Sequence, residues 1–189
     1  MVFLKKIVMK KQIYKFLFLK LGGWRITGTL DSNLKKCILM VVPHTSWHDF
    51  FLGIFTRGIT GLDMHYVAKK ELFVFPIGWF FKWTGGAPLN RGKNENKVQS
   101  IAKIFDTKSV FRLAIAPEGT RKKVETLKTG FYYIAKEANV PIVPVAFDYK
   151  NKQVVFHKPF IITEDETSDL IFLNKVLKGV EGKIPQNSY

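Results

Sequence analysis

The chain has 189 residues, 47% hydrophobic and 24% charged, a size and balance that fit one domain with its own core and exclude intrinsic disorder. Its single cysteine, Cys37, excludes an intramolecular disulfide, and with only 4 histidines beside it a Cys-rich zinc site is excluded too. Lysine and arginine number 30 against 15 aspartates and glutamates, and the net charge of +15 calls for something anionic: nucleic acid, a phosphorylated small molecule, an acidic carrier protein or an anionic membrane.

Residues 1–24, "MVFLKKIVMKKQIYKFLFLKLGGW", come first. Lysines break the apolar run, so it falls short of the roughly 20 apolar residues that span a bilayer, and no small-residue cleavage site follows. The expectation is a basic, apolar N-terminal helix suited to the headgroup region of a membrane, its lysine stems lying along lipid. Because the lysines spread around the helical wheel, packing against its own domain is the alternative. Residues 25–189 then form the main domain.

Within it, Lys36–Val42 reads as a strand that leads into "PHTSWHDF", residues 43–50. Trp47, Phe50, Phe51, Ile54 and Phe55 follow at helical spacing. "LDMHYVAKKEL" reads as a second strand ending at Lys69 and Lys70, "FVFPIGWFFKW" is dense in aromatics, and Gly85-Gly86 introduce an extended "APLNR". An amphipathic helix is expected near Asn94–Asp106, with Val98, Ile101, Ala102 and Phe105 on one side. "VFRLAIA" reads as a strand stopped by Pro117, and Phe131, Ile134, Ala135 and Ala138 mark a helix ending at Asn139. "PIVPVAF" and "QVVFH" read as strands, and the chain from about Ser168 as helical. This alternation predicts a single α/β domain, a mixed and mostly parallel sheet flanked by helices. In such sheets the site lies beyond the carboxyl ends of the strands, where the polar motifs fall.

His44 and Asp49 stand five residues apart across the change from strand to helix. An aspartate there can fix one ring nitrogen and leave the other to take a proton, so that a bound hydroxyl becomes a nucleophile. The plainer alternative is a capping box between Ser46 and Asp49, and the two are compatible. His48 is a supporting or surface group on this reading, and Ser46 lacks the glycine elbow of an acylated nucleophile. In "PEGTR", Gly119 permits close backbone approach, Thr120 offers a hydroxyl and Arg121 a planar fork suited to phosphate, while Glu118 can hold Arg121 or His44. A polar turn and a surface ion pair are the plain alternatives. Arg91, Lys69 and Lys70 add cations near other strand ends, and residues 72–83 can wall an acyl chain, dip into lipid or pack in the core.

Taken together and in this order, these blocks resemble the glycerolipid acyltransferases of the lysophosphatidic acid acyltransferase type. His44 and Asp49 match the family's His-x4-Asp block, Arg91 the arginine that ends its second, Glu118-Gly119-Thr120-Arg121 its Glu-Gly-Thr-Arg, and Val140–Val145 its apolar, proline-bearing fourth. The resemblance implies transfer of a fatty acyl group from coenzyme A or acyl carrier protein to the hydroxyl of a lysophospholipid, with no metal and no other cofactor. It makes His44 the general base and Asp49 its orienting partner. Arg91, Arg121, Glu118, Gly119 and Thr120 would form the phosphate site, and Lys69 would bind phosphate or steady an oxyanion. Residues 25–189 would be the acyltransferase domain, held peripherally on the cytoplasmic face of the inner membrane by an anionic surface, with no nucleic-acid partner.

Pro43 and the Ala-Pro-Leu-Asn before Arg91 depart from the family's usual residues, and the N-terminus is shorter and more basic than a long hydrophobic leader. An ornithine- or glycine-type lysolipid therefore stays open as acceptor. A thioester hydrolase and a non-catalytic basic binding protein are the rival classes.

Overall fold

The computed structural model describes residues 11–89 and 97–189. Seven strands among them form one sheet: β1 (Arg25–Thr27), β2 (Lys36–Val42), β3 (Met64–Lys69), β4 (Gly86–Leu89), β5 (Phe111–Ile115), β6 (Ile142–Asp148) and β7 (Gln153–Phe156). Their order is β1-β7-β6-β2-β5-β3-β4. All neighbours are parallel except β6 and β7, so the sheet is mixed and mostly parallel, as expected. The centre is β2, "KCILMVV", paired with β5 and β6. A nearly unbroken apolar run is what a strand covered on both faces requires.

Of the short outer strands, β1 was not foreseen, and β4 was foreseen only as an extended stretch after Gly85-Gly86. β1 has three residues, and β4 carries Pro88, which lacks an N–H and is tolerated because β4 lies at the sheet edge. β5 also holds a charge inside an apolar run. Arg112 is 4% exposed, and its guanidinium donates to the carbonyls of Leu34 and Ser32 at 2.8 Å each and of Asp63 at 3.4 Å, which makes it a tie between the loops before β2 and β3.

Helices cover both faces. On one side lie α3 (Lys97–Thr107), α4 (Gly130–Glu137) and α5 (Glu166–Leu177), packing Phe105, Phe131, Tyr132 and Leu173 on Ile38, Met40 and Val42. α5 begins two residues before the expected Ser168 because Asp165 caps it, accepting from the Ser168 amide at 3.0 Å. Helix ends at Leu177, and the segment beyond returns to the site, with only a short 3-10 turn at Pro185–Asn187.

The other side carries α1 (His48–Thr60) and a short α2 (Gly78–Trp83). Leu52 and Ile59 of α1 pack on Cys37, Leu39 and Val145. The N-terminal helix is α-helical over residues 11–15 and continues as a π-helix, Phe16–Leu21. Its Phe18 is 3% exposed and its ring lies 5.8 Å from that of Phe55, while Phe16 and Leu21 face outward. One face of this helix thus packs on its own domain.

Candidate active site

Because β2, β5 and β6 are parallel, "PHTSWHDF", "PEGTR" and Tyr149 all emerge at one edge of the sheet. His44 Nδ1 lies 3.1 Å from Asp49 Oδ2, with the histidine side chain 27% exposed and the aspartate 2%. Asp49 Oδ2 also accepts the Ser46 amide at 2.9 Å, so one carboxylate both caps the turn and holds the ring. The capping box is only half formed. Ser46 Oγ meets the His48 ring at 2.8 Å and the His48 amide at 3.4 Å, and the Asp49 amide turns to the Ser46 carbonyl at 3.3 Å. Trp47, with no side-chain cap bond, stands at the N-cap.

Two further contacts hold the dyad. Glu118, 2% exposed, accepts the His44 backbone amide on Oε2 at 2.7 Å. Of its two expected partners it therefore holds His44, through the main chain. Burial pushes its carboxyl up to about 7, against the pull of the His44 amide, and its Oε1 is buried with no hydrogen-bond partner. Tyr149, which no motif singled out, donates its hydroxyl to Asp49 Oδ1 at 2.7 Å. Burial and the adjacent carboxylate both raise the phenol, which stays a donor. Its signal was position, immediately beyond the carboxyl end of an apolar strand.

The returning C-terminal segment clasps the same loop. Ile184 donates its amide to Thr45 Oγ1 at 3.2 Å, and a Cβ on Gly182 would stand 2.6 Å from that oxygen. Tyr149 in turn donates its amide to the Glu181 carbonyl at 2.9 Å.

A cavity of about 390 Å³ begins at His44, Asp49 and Arg121 and runs beneath α1. Its walls are Leu39, Val41, Ala114, Val145, Phe147 and Phe156 from the sheet side and Phe50, Gly53 and Ile54 from α1. Between Asp49 and Arg57, both on its lining, α1 advances roughly 12 Å at 1.5 Å per residue. The far end is polar: Arg57 Nη2 pairs with Asp63 Oδ1 at 2.7 Å, and His65 Nε2 lies 3.0 Å from Asp63 Oδ2. Arg57, Asp63 and His65 were not anticipated, since none of them lies in the polar motifs that the sequence singled out.

Of the expected phosphate ligands, Arg121 is exposed at the cavity rim. Thr120, also exposed, accepts the Lys122 amide at 3.3 Å and so supports its own turn. Gly119 has φ +65°, and a Cβ there would come 2.7 Å from Lys128 Nζ. Lys69 ends β3, but its side chain lies outside the described residues, as does the whole of Arg91. Among the described residues, no group of three or more His, Cys, Asp or Glu side chains is placed to hold a metal, and no helix is long and apolar enough to cross a membrane.

With Nδ1–H held by Asp49, His44 Nε2 is left as a proton acceptor beside an apolar cavity, an arrangement able to activate a hydroxyl on an amphiphile. The chain is similar to the chloroplastic 1-acyl-sn-glycerol-3-phosphate acyltransferase of Brassica napus, 27% identical over 177 residues, covering 83% of this chain and 49% of the relative. It is also similar to the lyso-ornithine lipid O-acyltransferase of Pseudomonas aeruginosa, 28% identical over 156 residues, covering 79% and 57%. The chain thus spans about half the length of these curated relatives. Its fold is like that of the 1-acyl-sn-glycerophosphate acyltransferase of Thermotoga maritima, with a TM-score of 0.59 at 20% identity over 93% of this chain and 76% of that one. The Acyltransferase family model matches residues 24–148, which include the dyad, the Glu118–Arg121 turn and the strands that carry them, and the chain belongs to that family.

Proposed function

We propose that this protein is an O-acyltransferase that moves a fatty acyl group from an acyl thioester to the hydroxyl of a lysophospholipid in membrane lipid synthesis. The observation that carries this reading is the His44–Asp49 pair opening onto an apolar cavity with Arg121 at its rim. His44 Nε2 takes the acceptor's hydroxyl proton as its oxygen attacks the thioester carbonyl. Asp49 stabilises the imidazolium, and Tyr149 and Ser46 hold Asp49. On collapse of the tetrahedral adduct the C–S bond breaks and the imidazolium returns its proton to the departing thiolate. The donor is a coenzyme A or acyl carrier protein thioester, and the chemistry uses no metal or other cofactor.

The acyl chain occupies the cavity beneath α1. Arg121 takes the phosphate of a lysophosphatidate-like acceptor, with Arg91, Lys69, Gly119 and Thr120 joining it on the strength of the family blocks. Glu118 fixes the His44 backbone. The protein works peripherally on an anionic membrane, at the cytoplasmic face of the inner membrane. A lyso-ornithine acceptor is the second reading, favoured by the Pseudomonas aeruginosa relative.

The test is acyl transfer from a labelled thioester by purified protein to lysophosphatidate, to a lyso-ornithine lipid, and with no acceptor. Acceptor-dependent product that falls by about 10²–10⁴-fold in His44→Ala is expected. Arg121→Ala should abolish transfer to lysophosphatidate while slow thioester hydrolysis continues. Equal transfer to the phosphate-free acceptor would overturn the phosphate assignment. Cleavage indifferent to every acceptor would make the protein a hydrolase.

A further inference from the structure

Beside the cavity stands a band of apolar side chains that the reaction does not use. After β3 the chain makes one 3-10 turn, Lys70–Phe73, then a tip of residues 74–77, then α2. The base of this excursion is closed tightly. The Gly78 amide donates to the Val74 carbonyl at 2.7 Å, and a Cβ on Gly78 would stand 2.2 Å from the Phe73 carbonyl oxygen. The tip is therefore held outward by its own backbone. Phe75 is 94% exposed, Trp79 68%, Val74 60% and Ile77 50%. A water-facing surface rarely gathers such side chains without something to cover them.

The band is continuous with the mouth of the cavity. Ring contacts run from Trp79 to Phe80 at 6.3 Å, Phe80 to Phe50 at 6.3 Å, Phe50 to Phe51 at 5.6 Å and Phe51 to Trp47 at 5.4 Å. Phe50 lines the cavity, while Trp47 and Phe51 are again exposed. Exposed Lys70 and Lys82 flank the tip within a chain of net charge +15. Tryptophan and lysine at the rim with aliphatic and phenyl groups at the tip match a bilayer in layers: ammonium at phosphate, indole at the headgroups, the tip in the acyl region.

We propose that residues 74–83, together with Trp47 and Phe51, form a membrane-inserting edge that seats the cavity mouth on an anionic bilayer. A lipid could then pass between bilayer and cavity along an apolar path. Lipid as the occupant, in preference to a protein groove, rests partly on the acyl-transfer reading of the cavity.

The protein supplies its own test, because Cys37 is its only cysteine and is 0% exposed. In Phe75→Cys an environment-sensitive dye is attached at the tip. In Ile171→Cys it is attached at an exposed site on α5, across the sheet. Vesicles of equal phosphatidylglycerol and phosphatidylcholine should shift the tip dye to the blue, and brominated lipid should quench it, with no response at position 171. Phe75→Ser with Trp79→Ser should weaken vesicle binding by about tenfold or more. No dye response at the tip, equal responses at both sites, or undiminished binding by the double variant would each overturn the proposal. So would a tip response to acyl carrier protein without one to vesicles, which would make the band a protein-docking surface. Vesicle binding needs no turnover, and transfer in detergent micelles is measured separately. A tip response without transfer to any acceptor therefore supports the edge and removes only the enzymatic reading.

Discussion

On one face of the sheet β2 presents Ile38, Met40 and Val42 to α3, α4 and α5, and all three are 0% exposed. On the other it presents Leu39 and Val41 to the cavity of about 390 Å³ beneath α1. The polar groups divide the same way. Buried Asp169, on the packed face, accepts from the Tyr132 hydroxyl and from both the amide and the hydroxyl of Thr163. Toward the hollow face, Thr56 Oγ1 and Glu118 Oε1 are buried without a hydrogen-bond partner. An interior that leaves space and unmade hydrogen bonds gives up stability, and the opposite face offsets it. One face holds the fold while the other keeps a cavity open.

That division can be broken deliberately. The largest expected effect belongs to the packed face: Phe105, 1% exposed, should cost about 3–5 kcal/mol as Phe105→Ala. Urea unfolding measures the loss, and kcat/KM per folded molecule should not change. If activity falls with stability, the two faces are not separable.

Glu118→Gln probes the hollow face through pH. The Glu118 carboxyl titrates at about 7 in the folded protein against an ordinary 4.5. Between these values the folded state binds more protons than the unfolded one, so stability declines as pH rises through the window. The loss is on the order of 2–3 kcal/mol, and it should vanish in Glu118→Gln, whose amide oxygen still accepts the His44 amide. Urea unfolding of both proteins at pH 4.5 and pH 8 gives the comparison.

Tyr149→Phe removes one of the hydrogen bonds to Asp49 and should lower kcat about tenfold with little change in KM. A steeper rise in KM would place Tyr149 in substrate binding instead. The smallest effect sharpens the contrast within one helix. A Cβ on Gly53 meets nothing within 4 Å, so Gly53→Ala should stabilise α1 by about 0.5–1 kcal/mol in thermal melts. Gly58→Ala should destabilise it, because its Cβ would stand 2.2 Å from the Tyr14 ring.

The central strands were legible because each is an apolar run buried on both faces, as in β2 and β6, and α3 because its apolar residues repeat with the helical period. The outer strands were less so: the three residues of β1 carried no signal and the proline-bearing β4 read only as extended, since both take their pairing from a neighbour. At the site, His44, Asp49 and the Glu118–Arg121 turn were legible as local patterns. Tyr149 was not, because it lies 100 residues from the aspartate it supports.

What the sequence determined by itself was therefore the alternation of elements, the edge at which polar motifs collect and the family blocks, all set by short-range periodicity and residue chemistry. Tertiary structure decided how those motifs are held: which of two expected partners Glu118 takes, that Tyr149 and the C-terminal segment brace the dyad, and that α1 leaves an apolar cavity ending at Arg57. Such contacts depend on groups distant in sequence meeting at hydrogen-bond range, and only the packed sheet sets those distances.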